Sequence, residues 1–100
     1  MFIAMNRFQI AIGSEEEFEK MWRERESYLD NVTGFQEFHL LKGPSNETYT
    51  LYASHSIWES ENYFKDWTNS ESFRKAHRQA HPPKGMHLGP PQFEGFKVVL

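Results

Sequence analysis

Residues 67–81, WTNSESFRKAHRQAH, constrain the fold more than any other stretch, because they set where one helix starts, where it stops and which face it buries. Thr68 and Glu71 have capping-box spacing, in which the hydroxyl bonds a backbone N–H three residues on and the carboxylate reaches back. Pro82 and Pro83 cannot continue a helix. A helix over 68–80 places Phe73, Ala76, His77 and Ala80 on one face, with Glu71, Arg74, Lys75, Arg78 and Gln79 mainly elsewhere. An imidazole then stands where an apolar side chain normally stands, and a neutral imidazole can ligate a metal. His77 is therefore an iron or zinc ligand, a general base, or a core histidine bonded to a backbone carbonyl.

The rest of the chain alternates strands and helices. Residues 2–11, FIAMNRFQIA, have strand periodicity, with Phe2, Ala4, Asn6, Phe8 and Ile10 on one face. Asn6 interrupts that apolar face, either as a satisfied buried amide or as a donor aimed at a ligand, since an unpartnered amide costs about 1–3 kcal/mol. Gly13-Ser14 turns the chain, and Ser14 with Glu17 has capping-box spacing for a helix over 14–29. Its apolar positions are Phe18, Met21, Trp22 and Leu29, with Arg25 contributing its stem, and Glu15, Glu16 and Glu17 read as a solvated helix start. A turn at 30–34, a strand over 35–42, a hairpin loop at 43–46 and a strand over 48–58 follow. A short helix over 60–67 leads into the capped one, then come a proline- and glycine-rich loop at 82–91 and a last strand over 93–100.

The order β-α-β-β-α-α-β, with the two short helices as one crossover, predicts a single α+β domain over 1–100 of ferredoxin-like β-α-β-β-α-β type. Helices cover one sheet face. The other still carries aromatics that cannot be left wet, so two sheets packed face to face, a symmetric homodimer, would bury it.

Composition removes whole classes of function. Without cysteine there are no disulfides, thiolate nucleophiles or thiolate metal sites. A net charge of −3, spread along the chain, leaves no footprint for nucleic acid or an anionic membrane. No apolar run approaches the roughly 20 residues of a membrane span. The start MFIAMNRFQI lacks a basic segment ahead of an apolar core and does not read as a signal peptide, so a cytoplasmic protein is expected. Sixteen aromatics and five histidines in 100 residues suit a flat apolar ligand or an aromatic core equally.

Other candidates are weaker. His77 and His81 form an H-x-x-x-H pair, but Arg78 stands where a zinc protease needs glutamate. Trp67 is either packing or the wall of a planar site, and Trp22 and Trp58 read as core or interface. His39 and His55 fall on strands, exposed or paired across the sheet, and His87 is an occasional ligand from the loop. No phosphate loop, nucleophile elbow or spaced carboxylate cluster is present.

Taken together, Asn6 within MNRF and the run WESENYFKDWTNSESFRKAH at 58–77, with Trp67 and His77 ten residues apart, resemble the IsdG-type heme-degrading monooxygenases of the antibiotic-biosynthesis-monooxygenase superfamily. The resemblance extends over essentially the whole chain. It implies a homodimeric α+β barrel with one heme per protomer between helices and sheet. It also implies His77 as axial iron ligand, Trp67 pressing the porphyrin out of plane, and Asn6 donating a hydrogen bond on the distal side. Heme would be substrate and oxygen-activating centre together. With O2 and electrons from a reductase or small reductant, the ring would open to release iron and a bilin-like product. Extra imidazoles at His81 and His87 and the composition of 82–91 depart from the pattern. The rival expectations are a cofactor-independent oxygenase of the same superfamily acting on a polycyclic aromatic, and a non-catalytic heme-binding module.

Overall fold

A computed structural model of the chain describes residues 1–25, 29–78 and 82–100; the side chains of residues 77 and 78 lie outside that description. The elements are β1 (Phe2–Ala11), α1 (Glu15–Glu24), β2 (Phe35–Ser45), β3 (Tyr49–Trp58), α2 (Glu61–Thr68), α3 (Glu71–Arg78) and β4 (Gln92–Lys97). The strands form one antiparallel sheet in the order β2-β3-β1-β4, the ferredoxin-like arrangement expected from the sequence. No helix among the described residues is long and apolar enough to cross a membrane.

The inner face of the sheet explains the shape of the core. Cross-strand rows pair Phe2 with Trp58, Ala4 with Ser56, Asn6 with Ser54, and Phe8 with Tyr52. The outer two rows are bulky and the middle two are small. Two buried clusters form accordingly, one around Phe2, Trp58, Leu29 and Trp67, the other around Ile10, Phe18, Tyr52 and Met86. Space is left between them.

Helix α1 differs from expectation at both ends. Ser14 makes no side-chain cap; Glu15 takes the turn instead, its carboxylate accepting the Gly13 N–H at 2.7 Å. The same carboxylate accepts from the Thr50 hydroxyl at 2.8 Å, so Glu15 is tied to the sheet as well as to the turn. At the other end Arg25 adopts extended backbone, φ −74° and ψ 131°, which stops the helix at Glu24 rather than near 29. Leu29 is nevertheless buried in the first cluster.

The β2–β3 hairpin is tighter than composition suggests. β2 runs through Gly43, Pro44 and Ser45, with a register shift between Lys42 and Ser45. β2 lies at the sheet edge, where proline interrupts no ladder on its outer side. The turn narrows to residues around Asn46, whose Oδ1 accepts the N–H groups of Thr48 and Tyr49 at 2.8 Å each. Before β2, Gly34 has φ +86°, and a Cβ there would fall 2.3 Å from Tyr63 Cγ, so only glycine lets the turn close against α2.

The α2–α3 junction is capped by a residue other than the one expected. Thr68 is the last residue of α2 and its hydroxyl donates back to the Lys65 carbonyl at 2.8 Å. Ser70 caps α3 instead, accepting the Phe73 N–H at 3.1 Å, and α3 therefore starts at Glu71. Residues 79 and 80 of the expected helix lie outside the described residues. β4 ends at Lys97 instead of 100, because the ladder runs out where Lys97 pairs with Phe2, the first residue of β1. The 82–91 loop is more than a connection: Met86 is fully buried, its carbonyl accepts the Ala11 N–H at 2.9 Å, and the Leu88 N–H donates to Gln9 at 3.0 Å.

Candidate active site

The two small rows, Ala4/Ser56 and Asn6/Ser54, floor a cavity whose walls are aromatic: Trp22, Phe38, Trp58, Phe64, Trp67 and Phe73. Its volume is about 150 Å³. Pockets that bury a drug-sized ligand hold roughly 300–1,000 Å³, so a large planar ligand would also occupy the mouth or part the walls. Trp22 and Phe38 stack at 5.5 Å and 19°, while Trp67 meets Phe73 edge-on at 5.6 Å and 89°. The Trp58 indole is held by its N–H donating to Ser56 Oγ at 2.9 Å.

Two of the three sequence-derived site residues meet in this cavity. Asn6 lines its floor, half-buried, and no hydrogen bond joins its side chain to another described residue. Trp67, at the end of α2, is buried and lines the wall. His77 lies on α3, directly after the cavity-lining Ala76, but its side chain is outside the described residues, and His81 is outside them altogether.

Sequence reasoning missed three lining residues. Ser54 and Ser56 are inconspicuous in a strand until the register places them opposite Asn6 and Ala4. Arg25, read as contributing a stem, is the one charged residue among the described residues that line the cavity. Its guanidinium lies 4.7 Å from the Trp22 ring centroid, a cation–π contact, and its Nε is buried without a partner among the described residues. Burial lowers its pKa below the ordinary guanidinium value, and the group nevertheless stays charged at neutral pH. The available signal was a cation at helical spacing from Phe18, Met21 and Trp22.

The remaining histidines lie elsewhere. His39 and His55 are direct cross-strand partners, 6.3 Å between ring centroids, on the sheet face away from the cavity. His87 packs flat on Phe8 at 5.9 Å and edge-on to Phe18 at 5.6 Å, within the second core cluster rather than the cavity wall. No group of three or more His, Asp or Glu side chains gathers as a metal site among the described residues.

A ferredoxin-like sheet with an aromatic slot between sheet and helices is a ligand-binding α+β architecture. The antibiotic biosynthesis monooxygenase family profile matches residues 1–79, and the chain belongs to that family. Over 98 residues the chain is 29% identical to a mycobilin-producing heme oxygenase of Mycobacterium tuberculosis, covering 98% of this chain and 89% of the relative. The structure of the heme-degrader MhuD from the same species, with two hemes bound in its active site, superposes with a TM-score of 0.76 at 27% identity, over 100% of this chain and 97% of that one. A Bacillus cereus protein assigned to the same monooxygenase family reaches a TM-score of 0.80 at 18% identity, over 99% and 91% of the two chains, a likeness of fold alone.

The cavity chemistry fits a heme. Flat aromatic walls suit a macrocycle, the unpartnered Arg25 Nε suits a carboxylate substituent, and α3 brings His77 to the same region of the fold.

Proposed function

We propose that this protein is a heme-degrading monooxygenase that opens the porphyrin ring of bound heme, using O2 and external electrons, and releases iron and a bilin-like product. The observation that carries the reading is a half-buried cation, Arg25, whose Nε has no partner among the described residues, in a slot whose other described lining residues are uncharged and largely aromatic. A planar, apolar ligand bearing carboxylates matches that combination, and the similarity to a heme oxygenase at 29% identity supports it.

Bound heme supplies the oxygen-activating chemistry. The chain's residues bind, orient and shield. His77 would ligate the iron, Trp67 would pack against the macrocycle, and Asn6 on the sheet floor would offer its amide N–H to the bound ligand. Arg25 pairs with a propionate and so fixes how the macrocycle is turned in its slot. The indole and phenyl walls exclude water, which strengthens each of these polar contacts. Electrons come from a reductase or small reductant, and the protein acts in the cytoplasm to recover iron.

The active form in this reading is a homodimer. The sheet face away from the helices carries Ile3, Met5, Leu41, Ile57 and Phe96, with Leu41 41% and Phe96 44% exposed. A second copy packed there would bury them.

Titrating purified apoprotein with hemin tests the proposal. A sharp Soret band, lost in His77→Ala, is expected; adding reductant under air should then bleach the band and yield chelatable iron. An unchanged hemin spectrum would leave the cofactor-independent oxygenase reading, and binding without bleaching would leave a heme-binding module.

A further inference from the structure

We propose that Ser70 is a positioning residue that ties the Trp67 end of α2 to the first turn of α3, and so sets the spacing between the indole wall and the helix that carries His77. The inference rests on the heme-degrading reading above.

One hydroxyl serves both sides of the junction. Ser70 Oγ donates to the Trp67 carbonyl at 2.7 Å and accepts from the Phe73 N–H at 3.1 Å. The Ser70 N–H donates to the same Trp67 carbonyl at 3.0 Å, so that oxygen is gripped twice. The neighbouring polar side chains turn back onto α2: Thr68 Oγ1 and Asn69 Nδ2 both donate to the Lys65 carbonyl, at 2.8 and 3.0 Å. Across the junction Arg74 also reaches the Asn69 carbonyl, at a long 3.5 Å. Ser70 thus hydrogen-bonds both helix ends, and the residues it joins, Trp67 and Phe73, meet edge-on in the cavity wall.

An ordinary helix cap needs only an acceptor, and aspartate serves as well as serine. What distinguishes Ser70 is the donor half of the bridge, aimed at Trp67. An ionised aspartate accepts but cannot donate, whereas threonine does both. This difference separates positioning from simple capping.

The test compares Ser70→Ala, Ser70→Asp and Ser70→Thr, read by far-UV circular dichroism and thermal unfolding of the apoprotein, by the Soret maximum with hemin, and by the rate of reductant-driven bleaching. Ser70→Thr should match the wild type throughout. Ser70→Asp should keep wild-type helix content and Tm, yet shift the Soret maximum and slow bleaching about tenfold, the loss expected for one hydrogen bond of typical strength. Ser70→Ala should show the same spectral change; if it does not fold, the aspartate and threonine pair decides. Wild-type spectrum and rate in Ser70→Asp would reduce Ser70 to a cap and overturn the proposal, as would an unaltered Ser70→Ala. A wild-type protein without any Soret band would instead defeat the heme reading, and this inference with it.

Discussion

The Tyr52 hydroxyl donates to the Glu19 carboxylate, and one helical turn earlier Glu15 accepts from Thr50, so α1 is fastened to β3 by two rungs. Four helical residues advance about 6 Å and two strand residues about 6.7 Å, so the spacings match and the helix can lie along the strand. This fastening matters to the site because α1 and the residue just after it deliver Trp22 and Arg25 to the cavity.

Acid and alkali should each loosen the fastening. The Tyr52 bond is the main cause holding Glu19 below its ordinary value of 4.5, and Glu15 is lowered first by its own backbone N–H and then by Thr50. A lowered carboxyl pKa contributes stability above about pH 4.5 that disappears as pH falls through the folded-state value. Tyr52 is raised above 10.0 by burial and by Glu19, so its contribution holds below pH 10 and is lost as pH rises beyond it. Tm measured from about pH 2.5 to 11 should therefore fall at both ends, and Tyr52→Phe should flatten both falls. An acid limb as steep in Tyr52→Phe as in the wild type would show that Glu19 is not what holds α1.

The cavity is defined by small residues, so filling one should abolish binding without harming the fold. Ser54→Leu adds an apolar side chain between the Asn6 row and the aromatic wall, with a gain of about 1.5 kcal/mol from burial set against about 1–3 kcal/mol of overpacking. Tm should change little, while hemin affinity falls by about two orders of magnitude, consistent with blocked space. Undiminished Soret formation in a folded Ser54→Leu protein would place the ligand elsewhere.

How much of this was legible beforehand follows from which signals are local. Strand β1 and the position of Asn6 are readable because a period of two is a property of one segment. The Ala4/Ser56 and Asn6/Ser54 rows are not, since they exist only once β1 and β3 are in register. Thr68 and Glu71 match a capping box, but two hydroxyls stand within three residues, and Thr68 is taken by the end of α2, which leaves the cap to Ser70. Ser14 loses its expected role in the same way, to the longer reach of Glu15. Met86 sits in a stretch whose prolines and glycines mark a loop, and nothing in that composition reveals that the loop returns along β1.

Arg25 provides a test of which ligand the cavity prefers. A half-buried guanidinium whose Nε has no partner among the described residues carries a desolvation cost, so Arg25→Met should leave the apoprotein as stable or more stable. Pairing with a carboxylate contributes roughly 1.5–3 kcal/mol, so the variant should bind hemin about tenfold or more weakly. The dimethyl ester of hemin, which lacks the charge, should bind wild type and variant alike. Equal losses for acid and ester would mean that Arg25 acts through packing against Trp22 and not through its charge.

Trp67 separates holding the ligand from acting on it. The indole is buried at the end of α2 with its edge against Phe73, and it forms cavity wall rather than part of a polar network. Trp67→Phe keeps an aromatic ring there but withdraws volume, and a large-to-small change of this kind leaves a void that the fixed helix junction cannot fully close. Pressure on a bound macrocycle should drop more than attraction to it, because the ligation proposed for His77 is untouched. Hemin affinity should stay within about threefold of wild type while bleaching slows about tenfold, a difference of roughly 1.4 kcal/mol in the barrier alone. A variant that bleaches at the wild-type rate would leave Trp67 as packing, and the distortion proposed for the macrocycle would then have to come from the opposite wall, where Trp22 stacks on Phe38.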